Sequence, residues 1–267
     1  MSDRVTISIE DGVADVRLNR PEKMNALDQA MFEGLAGAAH ELAANAKVRA
    51  AVLSGNGRAF CAGLDFGGFA GMATEERPRR SLLAQQESGP GNFAQMAAYA
   101  WSMLPMPVVA AVHGVAFGGG LQVALGADIR FVTPDAQLSV MEIKWGLIPD
   151  MSGTQTMRHL VRLDVMKELT FSGRIVSGAE AVELGLATHT SDNPLDSAMA
   201  LARTIAGKSP EAVRAGKRLL NQAVMSELGA GLKLEEQLQL SLIGTPNQVE
   251  AVQANLQKRP PSFKDPV

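Results

Sequence analysis

The chain has 267 residues, of which 46% are hydrophobic and 20% charged, and its formal net charge is −3. This length allows one large domain, or one domain with an appendage, in an ordinary soluble globular protein. The mildly negative charge gives no electrostatic reason to expect a nucleic-acid partner. Pro105, Pro107 and His113 interrupt the longest apolar region, residues 96–120, so we expect strands and turns there and no membrane span.

The single cysteine, Cys61, excludes an internal disulfide framework and favours a reducing compartment. Residues 1–4 lead directly into a strand-like pattern and not into a signal peptide. We therefore expect a cytoplasmic location. The four histidines lack the spacing of metal ligands, so no metal site is predicted.

The N-terminal region predicts a β-hairpin followed by a helix. Residues 5–10 and 13–18 alternate apolar and polar side chains around Asp11-Gly12. Asp28 can cap a helix whose apolar residues between 31 and 42 recur with a helical period.

A glycine-rich segment follows a predicted strand at residues 50–53. Residues 58–68 contain too much glycine for a helix and are too apolar for a solvated loop. Residues 67–92 then mix charges, small residues and a Gly-Pro-Gly sequence. A long segment of this kind in a compact domain is typical of a lid.

The stretch from Pro107 to Asp128 predicts a strand, a bare glycine turn and a helix. Residues 107–112 form a buried apolar run, Gly118-Gly119-Gly120 follow, and residues 121–125 begin a helix that ends at Gly126. The N–H groups at the helix start can bind an anion or a developing oxyanion. Equally, the three glycines can be a tight turn between closely packed elements.

Further along, strands are expected at residues 129–132 and 137–140, and Ser177 with Glu180 can form a capping box. Strands thus alternate with short helices to about residue 190, which predicts an α/β fold. Helical patterns follow, with prolines at first helical positions. We expect a core over residues 1–195 and a helical region over residues 196–267.

Several of these segments match one family in residue type, order and spacing. The chain resembles the crotonase (enoyl-CoA hydratase/isomerase) superfamily. The matching segments are Leu18-Asn19-Arg20-Pro21, Met24-Asn25-Ala26-Leu27, residues 59–65, residues 114–128, Gly146-Leu147-Ile148-Pro149, Gly153-Thr154-Gln155 and residues 173–185.

The resemblance implies a spiral of ββα units with a C-terminal helical region that forms a homotrimer or a dimer of trimers. It also implies an acyl-CoA thioester substrate and no cofactor, since coenzyme A is part of the substrate. Members stabilise an enolate through two backbone N–H groups, which correspond here to Leu64 and Gly119. The glycine turn had pointed to Gly119 independently.

The resemblance places the acid–base chemistry on Glu142, surrounded in sequence by apolar residues that raise a carboxyl pKa. Hydratases of the family carry a second glutamate where this chain has Gln122, and a neutral amide cannot accept a proton from water. Gln122 can still orient a water or a thioester, or simply contact a neighbour. Asp150 resembles the aspartate of dienoyl-CoA isomerases, with capping of the next helix as the alternative.

Five residues resemble positions that contact coenzyme A: Ala26, Ala59, Ala62, Phe263 and Lys264. Cys61 has no base nearby that would make it a nucleophile, and His113 is expected to be a hydrogen-bonded core residue. Gln122 in place of the second glutamate impairs hydration, whereas Glu142, with or without Asp150, suffices to move a proton between carbons. The sequence therefore favours double-bond isomerisation slightly over hydration. A hydratase proper and a catalytically silent acyl-CoA-binding protein remain as alternatives.

Overall fold

A computed structural model describes residues 3–65, 67, 84 and 89–266. The predicted lid, residues 67–92, lies largely outside these residues. Strands and helices alternate through the first two thirds of the described chain, and helices make up the remainder. The predicted α/β class is confirmed.

The larger sheet has six strands in the order β1-β2-β3-β4-β6-β9. The hairpin β1–β2 is antiparallel and the other neighbours are parallel. The strands are β1 (Val5–Glu10), β2 (Val13–Leu18), β3 (Ala50–Gly55), β4 (Val108–Val112), β6 (Ile129–Val132) and β9 (His189–Thr190).

A smaller sheet of three strands, in the order β5-β7-β8, lies beyond the carboxyl end of β4 in the chain path. Its strands are β5 (Val115–Phe117), β7 (Gln137–Ser139) and β8 (Val176–Ser177). β5 and β7 are parallel, whereas β7 and β8 are antiparallel. The short connection from β4 to β5 passes through Gly114, so the two sheets meet close to the glycine turn.

The helices of the described residues are α1 (Gln29–Ala44), α2 (Phe93–Met103), α3 (Gly119–Leu125), α4 (Gly153–Met157), α5 (Leu163–Ser172), α6 (Gly178–Leu184), α7 (Pro194–Ala206), α8 (Pro210–Ala223), α9 (Leu228–Leu242) and α10 (Pro246–Leu256). Short 3₁₀ turns occupy Pro21–Lys23 and Glu142–Trp145. Across the described residues, no helix combines the length and the apolar character that crossing a bilayer requires.

Both faces of the larger sheet are covered, as is usual for parallel strands. In β3, Ala51 and Leu53 face a core shared with α1 and α2, while Ala50 and Val52 face α7. α7 contributes Ala198, Ala202 and Ala206, which lie on one helical face because they are four residues apart. The division of the chain at residue 195 stays a prediction.

Most local predictions are confirmed. Asp11 and Gly12 turn the hairpin with positive φ angles of 49° and 78°. The Asp28 carboxylate accepts the Met31 N–H at 2.8 Å and caps α1. The predicted helix at residues 121–125 begins two residues earlier, at Gly119.

The capping box at the start of α6 is half formed, which corrects the prediction. The Ser177 hydroxyl accepts the Glu180 N–H at 3.1 Å. The Glu180 carboxylate, however, accepts a hydrogen bond from the Arg174 guanidinium at 2.7 Å. A charge-assisted bond to arginine is stronger than one to a neutral N–H, so Glu180 turns away from the helix start.

One buried ammonium joins the C-terminal helices to the core. Lys217 of α8 donates to the backbone oxygens of Trp101 and Met106, at 3.4 and 3.0 Å, and to Asp128 Oδ2 at 2.7 Å. Asp128 Oδ2 also accepts the Val108 N–H at 2.7 Å. Burial lowers the pKa of Lys217, and the Asp128 carboxylate opposes that shift.

Removing Asp128 should therefore destabilise the fold. Asp128→Ala leaves the Lys217 charge buried without its counter-ion, and we expect the free energy of unfolding to fall by about 3 kcal/mol. Urea denaturation measures this change. Asp135→Ala, at an exposed carboxylate on the β6–β7 connection, is the matched control, and equal effects of the two substitutions would contradict the role of the pair.

Candidate active site

Two segments distant in sequence are held together by short backbone pairings. Leu27 pairs with Leu64, and Cys61 pairs with Ala116, each in a parallel bridge. The Cys61 N–H donates to Val115 O at 3.0 Å, and the Phe117 N–H donates to Cys61 O at 3.1 Å. These contacts place residues 61–64 directly beside the glycine turn.

Glycine makes this approach possible. A Cβ on Gly63, whose φ is +83°, would lie 2.5 Å from the Phe117 oxygen. A Cβ on Gly120 would collide with the Cys61 oxygen. Both positions therefore exclude any larger side chain. The glycine turn is thus a close backbone approach as well as a helix start, and its binding of an anion or an oxyanion stays a prediction.

The backbone N–H groups of Leu64 and Gly119 lie at this approach and have no partner among the described residues. Leu27 bonds to Gly63 O and to the Asp65 N–H, so the intervening Leu64 N–H points away from that bridge. Gly119 is the first residue of α3, where an N–H has no intrahelical acceptor. A Cβ on Gly63 would lie 3.8 Å from Gly119 N, so the two segments adjoin.

A polar network fixes the Leu64 segment from the other side. Arg20 forms a 2.7 Å ion pair with Asp65 and donates to Ala26 O at 3.1 Å. The fully buried Asn25 accepts the Arg20 N–H at 2.8 Å and donates to the oxygens of Asn56 and Ala59 at 2.9 and 2.8 Å. Sequence reasoning used these residues only as family markers, and their positioning role was missed.

Glu142 lies against the glycine turn. It begins the 3₁₀ turn Glu142–Trp145 and is 9% exposed. A Cβ on Gly118 would lie 3.4 Å from Glu142 Oε1 and 3.9 Å from Oε2. Oε1 accepts a hydrogen bond from Gln122 Nε2 at 2.6 Å, whereas Oε2 is buried without a hydrogen-bond partner among the described residues.

Gln122 is buried in α3 and connects three segments. Its Oε1 accepts the N–H groups of Met151 and Gly153, both at 2.8 Å, and its Nε2 donates to Glu142. The side chain thus contacts a neighbouring carboxylate, and its oxygen is fully engaged by backbone donors. This agrees with the structural interpretation of Gln122.

Burial raises the pKa of the Glu142 carboxyl above its ordinary value. Its own backbone N–H and the Gln122 amide oppose the rise, and the negative charge of Asp150 adds to it. Asp150 is an exposed residue, yet partial burial of its carboxyl group raises its pKa too. α4 begins at Gly153 after Ser152 without a side-chain cap, so capping does not account for Asp150.

Known proteins are similar to this chain in sequence. A profile of the enoyl-CoA hydratase/isomerase family matches residues 8–266. The chain is 34% identical over 269 residues to YngF of Bacillus subtilis (strain 168), covering 99% of each chain. It is 32% identical over 261 residues to the mitochondrial methylglutaconyl-CoA hydratase of Mus musculus, covering 95% of this chain and 80% of the other.

The likeness extends to three dimensions. The crystal structure of an enoyl-CoA hydratase from Bacillus anthracis superposes with a TM-score of 0.90 at 30% identity, covering 98% of this chain and 100% of the other. The chain belongs to the enoyl-CoA hydratase/isomerase family. The predicted family, the crotonase fold and the enzyme class are thereby confirmed.

In this family member, three of the five predicted CoA-contacting residues lie together at the carboxyl ends of β2 and β3. The Ala26 oxygen accepts a hydrogen bond from the Arg20 guanidinium, and the Ala59 oxygen accepts one from the Asn25 amide. The Ala62 N–H donates to Met24 O at 2.9 Å.

Phe263 and Lys264 lie elsewhere. Arg49, at the opposite end of β3, donates to Phe263 O at 2.8 Å, and Asn247 bonds to both the N–H and the oxygen of Lys264. Since β3 spans six residues, about 20 Å of strand separates these two groups. The structure therefore does not bring Phe263 and Lys264 to the glycine turn of the same chain.

Cys61 and His113, near the glycine turn, each have a structural partner. The buried Cys61 thiol lies 3.1 Å from Asn25 O, and burial raises its pKa to about 12, which is unsuited to a nucleophile. His113 bonds to Gly57 O at 2.9 Å but is partly exposed, which corrects the expected core position. The described residues contain no group of three potential metal ligands.

The raised pKa of Glu142 predicts a pH-dependent stability cost. The unfolded chain loses this proton at lower pH than the folded chain does. Ionised Glu142 therefore lowers the free energy of unfolding in full above the raised pKa of the folded state, and has no such effect below the ordinary pKa of about 4.3. Glu142→Gln should therefore melt at a higher temperature than the wild type at pH 8, with the difference vanishing near pH 4.

Thermal denaturation over this pH range measures the effect. Glu33→Gln, at an exposed carboxylate on α1, controls for the loss of one negative charge. A Glu142→Gln variant less stable than the wild type at pH 8 would show that the buried carboxylate carries no such cost.

Proposed function

We propose that the chain is an acyl-CoA isomerase in which Glu142 moves a proton between two carbons of an enoyl-CoA thioester. The observation that carries the proposal is a buried carboxyl beside the Leu64 and Gly119 N–H groups; one carboxyl oxygen and both N–H groups have no partner among the described residues. Such N–H pairs stabilise an oxyanion, and removing one donor typically costs about 3–4 kcal/mol of transition-state stabilisation.

The reaction follows from this arrangement. The thioester oxygen accepts hydrogen bonds from the Leu64 and Gly119 N–H groups. The Glu142 carboxylate removes a proton from the carbon between the thioester carbonyl and the double bond, and the C–H electron pair delocalises onto the thioester carbonyl oxygen as an enolate. Glu142 then returns the same proton to a different carbon, which shifts the double bond without any net oxidation. Asp150, whose pKa is also raised, can donate a proton to, or accept one from, a more distant carbon of a longer conjugated substrate.

Gln122 is the reason to favour isomerisation over hydration. Hydration needs a group that accepts a proton from water, and the Gln122 oxygen is already bonded to two backbone N–H groups. Hydration remains the second candidate because the mouse relative is named as a hydratase. Water addition would then depend on Glu142 alone.

The test is a set of absorbance assays with crotonyl-CoA, a 3-enoyl-CoA and a 3,5-dienoyl-CoA. We expect turnover of one of the latter two, and a loss of about 10²–10⁴-fold in Glu142→Gln with CoA-ester binding retained by calorimetry. Glu33→Gln should match the wild type. Turnover of crotonyl-CoA alone would identify a hydratase, and binding without any turnover would identify a silent acyl-CoA-binding protein.

We also propose that the chain forms a homotrimer or a dimer of trimers. The C-terminal helices expose large apolar side chains, including Leu220 at 70%, Leu228 at 77% and Leu256 at 80%. Large apolar side chains that gather on one exposed surface are typical of protein interfaces. A cytoplasmic location and the absence of a separate cofactor belong to the same proposal, supported by the free thiol of Cys61.

Light scattering after size-exclusion chromatography tests the assembly. We expect a mass three or six times that of one chain, and a shift toward smaller species in Leu228→Lys, which places a charge on the apolar surface. Glu33→Lys, which also introduces a lysine at an exposed helix position, should leave the mass unchanged. A wild-type monomer would refute the assembly.

A further inference from the structure

The orientation of the Gln122 amide is determined by its surroundings. Two backbone N–H groups, from Met151 and Gly153, approach the same side-chain atom at 2.8 Å. Only an oxygen can accept both bonds, because an amide nitrogen there would face two donors. The atom that contacts Glu142 at 2.6 Å is therefore the amide nitrogen, and it is a donor.

A fixed donor makes the two Glu142 oxygens unequal. Oε1 is occupied by the Gln122 amide, whereas Oε2 is buried and has no partner among the described residues. Both oxygens lie within 4 Å of the position that a Cβ of Gly118 would occupy, next to the free Gly119 N–H. Oε2 is thus the oxygen whose hydrogen-bonding capacity the described residues leave unused.

We propose that Gln122 is a positioning residue that holds Oε1 of Glu142 and thereby reserves Oε2 for proton exchange with the substrate carbon. This inference rests on the proposed function, which it deepens by assigning the reacting atom. In the forward step Oε2 gains the proton, and the C–H electron pair enters the enolate. In the return step the O–H bond of Oε2 breaks as the new C–H bond forms, while the Gln122 bond to Oε1 persists.

Few charged groups act on this pair. Asp150 is the ionisable residue whose charge raises the pKa of Glu142, and the remaining polar contacts are the Glu142 backbone N–H and the Gln122 amide. Because the amide favours the carboxylate form, removing it should raise the pKa of Glu142 further. A residue that only filled space would have no such effect.

Two substitutions separate positioning from packing. Gln122→Met keeps the length of the side chain but loses both the donor and the acceptor. Gln122→Glu keeps an acceptor for the Met151 and Gly153 N–H groups, so it preserves the fold, but it sets two carboxyls at hydrogen-bonding distance. Such a pair shares one proton and titrates in two steps. Gln29→Met is the matched control, because Gln29 donates to Glu33 at 2.9 Å on the exposed face of α1.

Two measurements are made on each variant. The first is the pH dependence of α-proton exchange between butyryl-CoA and deuterated water. The second is the ionisation of the Glu142 carboxyl, read by infrared difference spectroscopy against Glu142→Gln. We expect Gln122→Met to lower kcat for exchange by about 10- to 100-fold with little change in KM, and both Gln122 variants to move the low-pH limb and the infrared titration to higher pH.

The outcomes distinguish the inference from the function on which it rests. An unchanged infrared titration in both Gln122 variants overturns the positioning role, even where melting temperatures fall. A shifted titration in the Gln122 variants, together with no proton exchange by the wild type, supports the contact and refutes the proposed reaction. A shift in Gln29→Met equal to that in Gln122→Met would also overturn the inference, since it would not be specific to the buried pair.

Discussion

The site depends on a close approach of two backbone segments that lie more than fifty residues apart. The bridges from Leu27 to Leu64 and from Cys61 to Ala116 bring the segments to van der Waals distance, and glycine at positions 63 and 120 leaves the space for it. Because both proposed oxyanion donors, the N–H groups of Leu64 and Gly119, are backbone groups, their geometry is set by these bridges and not by side-chain rotamers. The Arg20–Asp65 ion pair and the Asn25 amide then hold the outer segment in place.

Burial of Glu142 is the second constraint, because it favours acid–base chemistry but lowers the stability of the fold. A carboxyl withdrawn from water has a raised pKa, which suits an acid–base group that must both take and return a proton. The same withdrawal costs folding free energy at neutral pH. Gln122 moderates this cost by donating to one oxygen, and its own oxygen is stabilised in turn by the loop that carries Asp150 and Met151.

Much of this arrangement could be predicted from the sequence. Alternation around Asp11-Gly12, the Asp28 cap and the apolar run before Gly114 are local signals, and each element formed where it was expected. The resemblance to a family supplied the predicted joint role of the Leu64 and Gly119 N–H groups, which no local pattern encodes. The contacts of Gln122 and Asn25 could not be predicted, because each depends on backbone groups from segments that are adjacent only in the folded chain. Phe263 and Lys264 lie away from the glycine turn of their own chain, because Arg49 at the far end of β3 binds the tail, and their contact with coenzyme A stays a prediction.

The Lys217 ammonium has a consequence for how the chain acquires its structure during synthesis. Its three acceptors, Trp101 O, Met106 O and Asp128, are made first, and the ammonium that satisfies them is added 89 residues after Asp128. Until the ribosome has released α8, the carboxylate and both carbonyl groups must remain hydrated. These three acceptors near the start of β4 therefore depend on water through most of translation, until the C-terminal helices arrive.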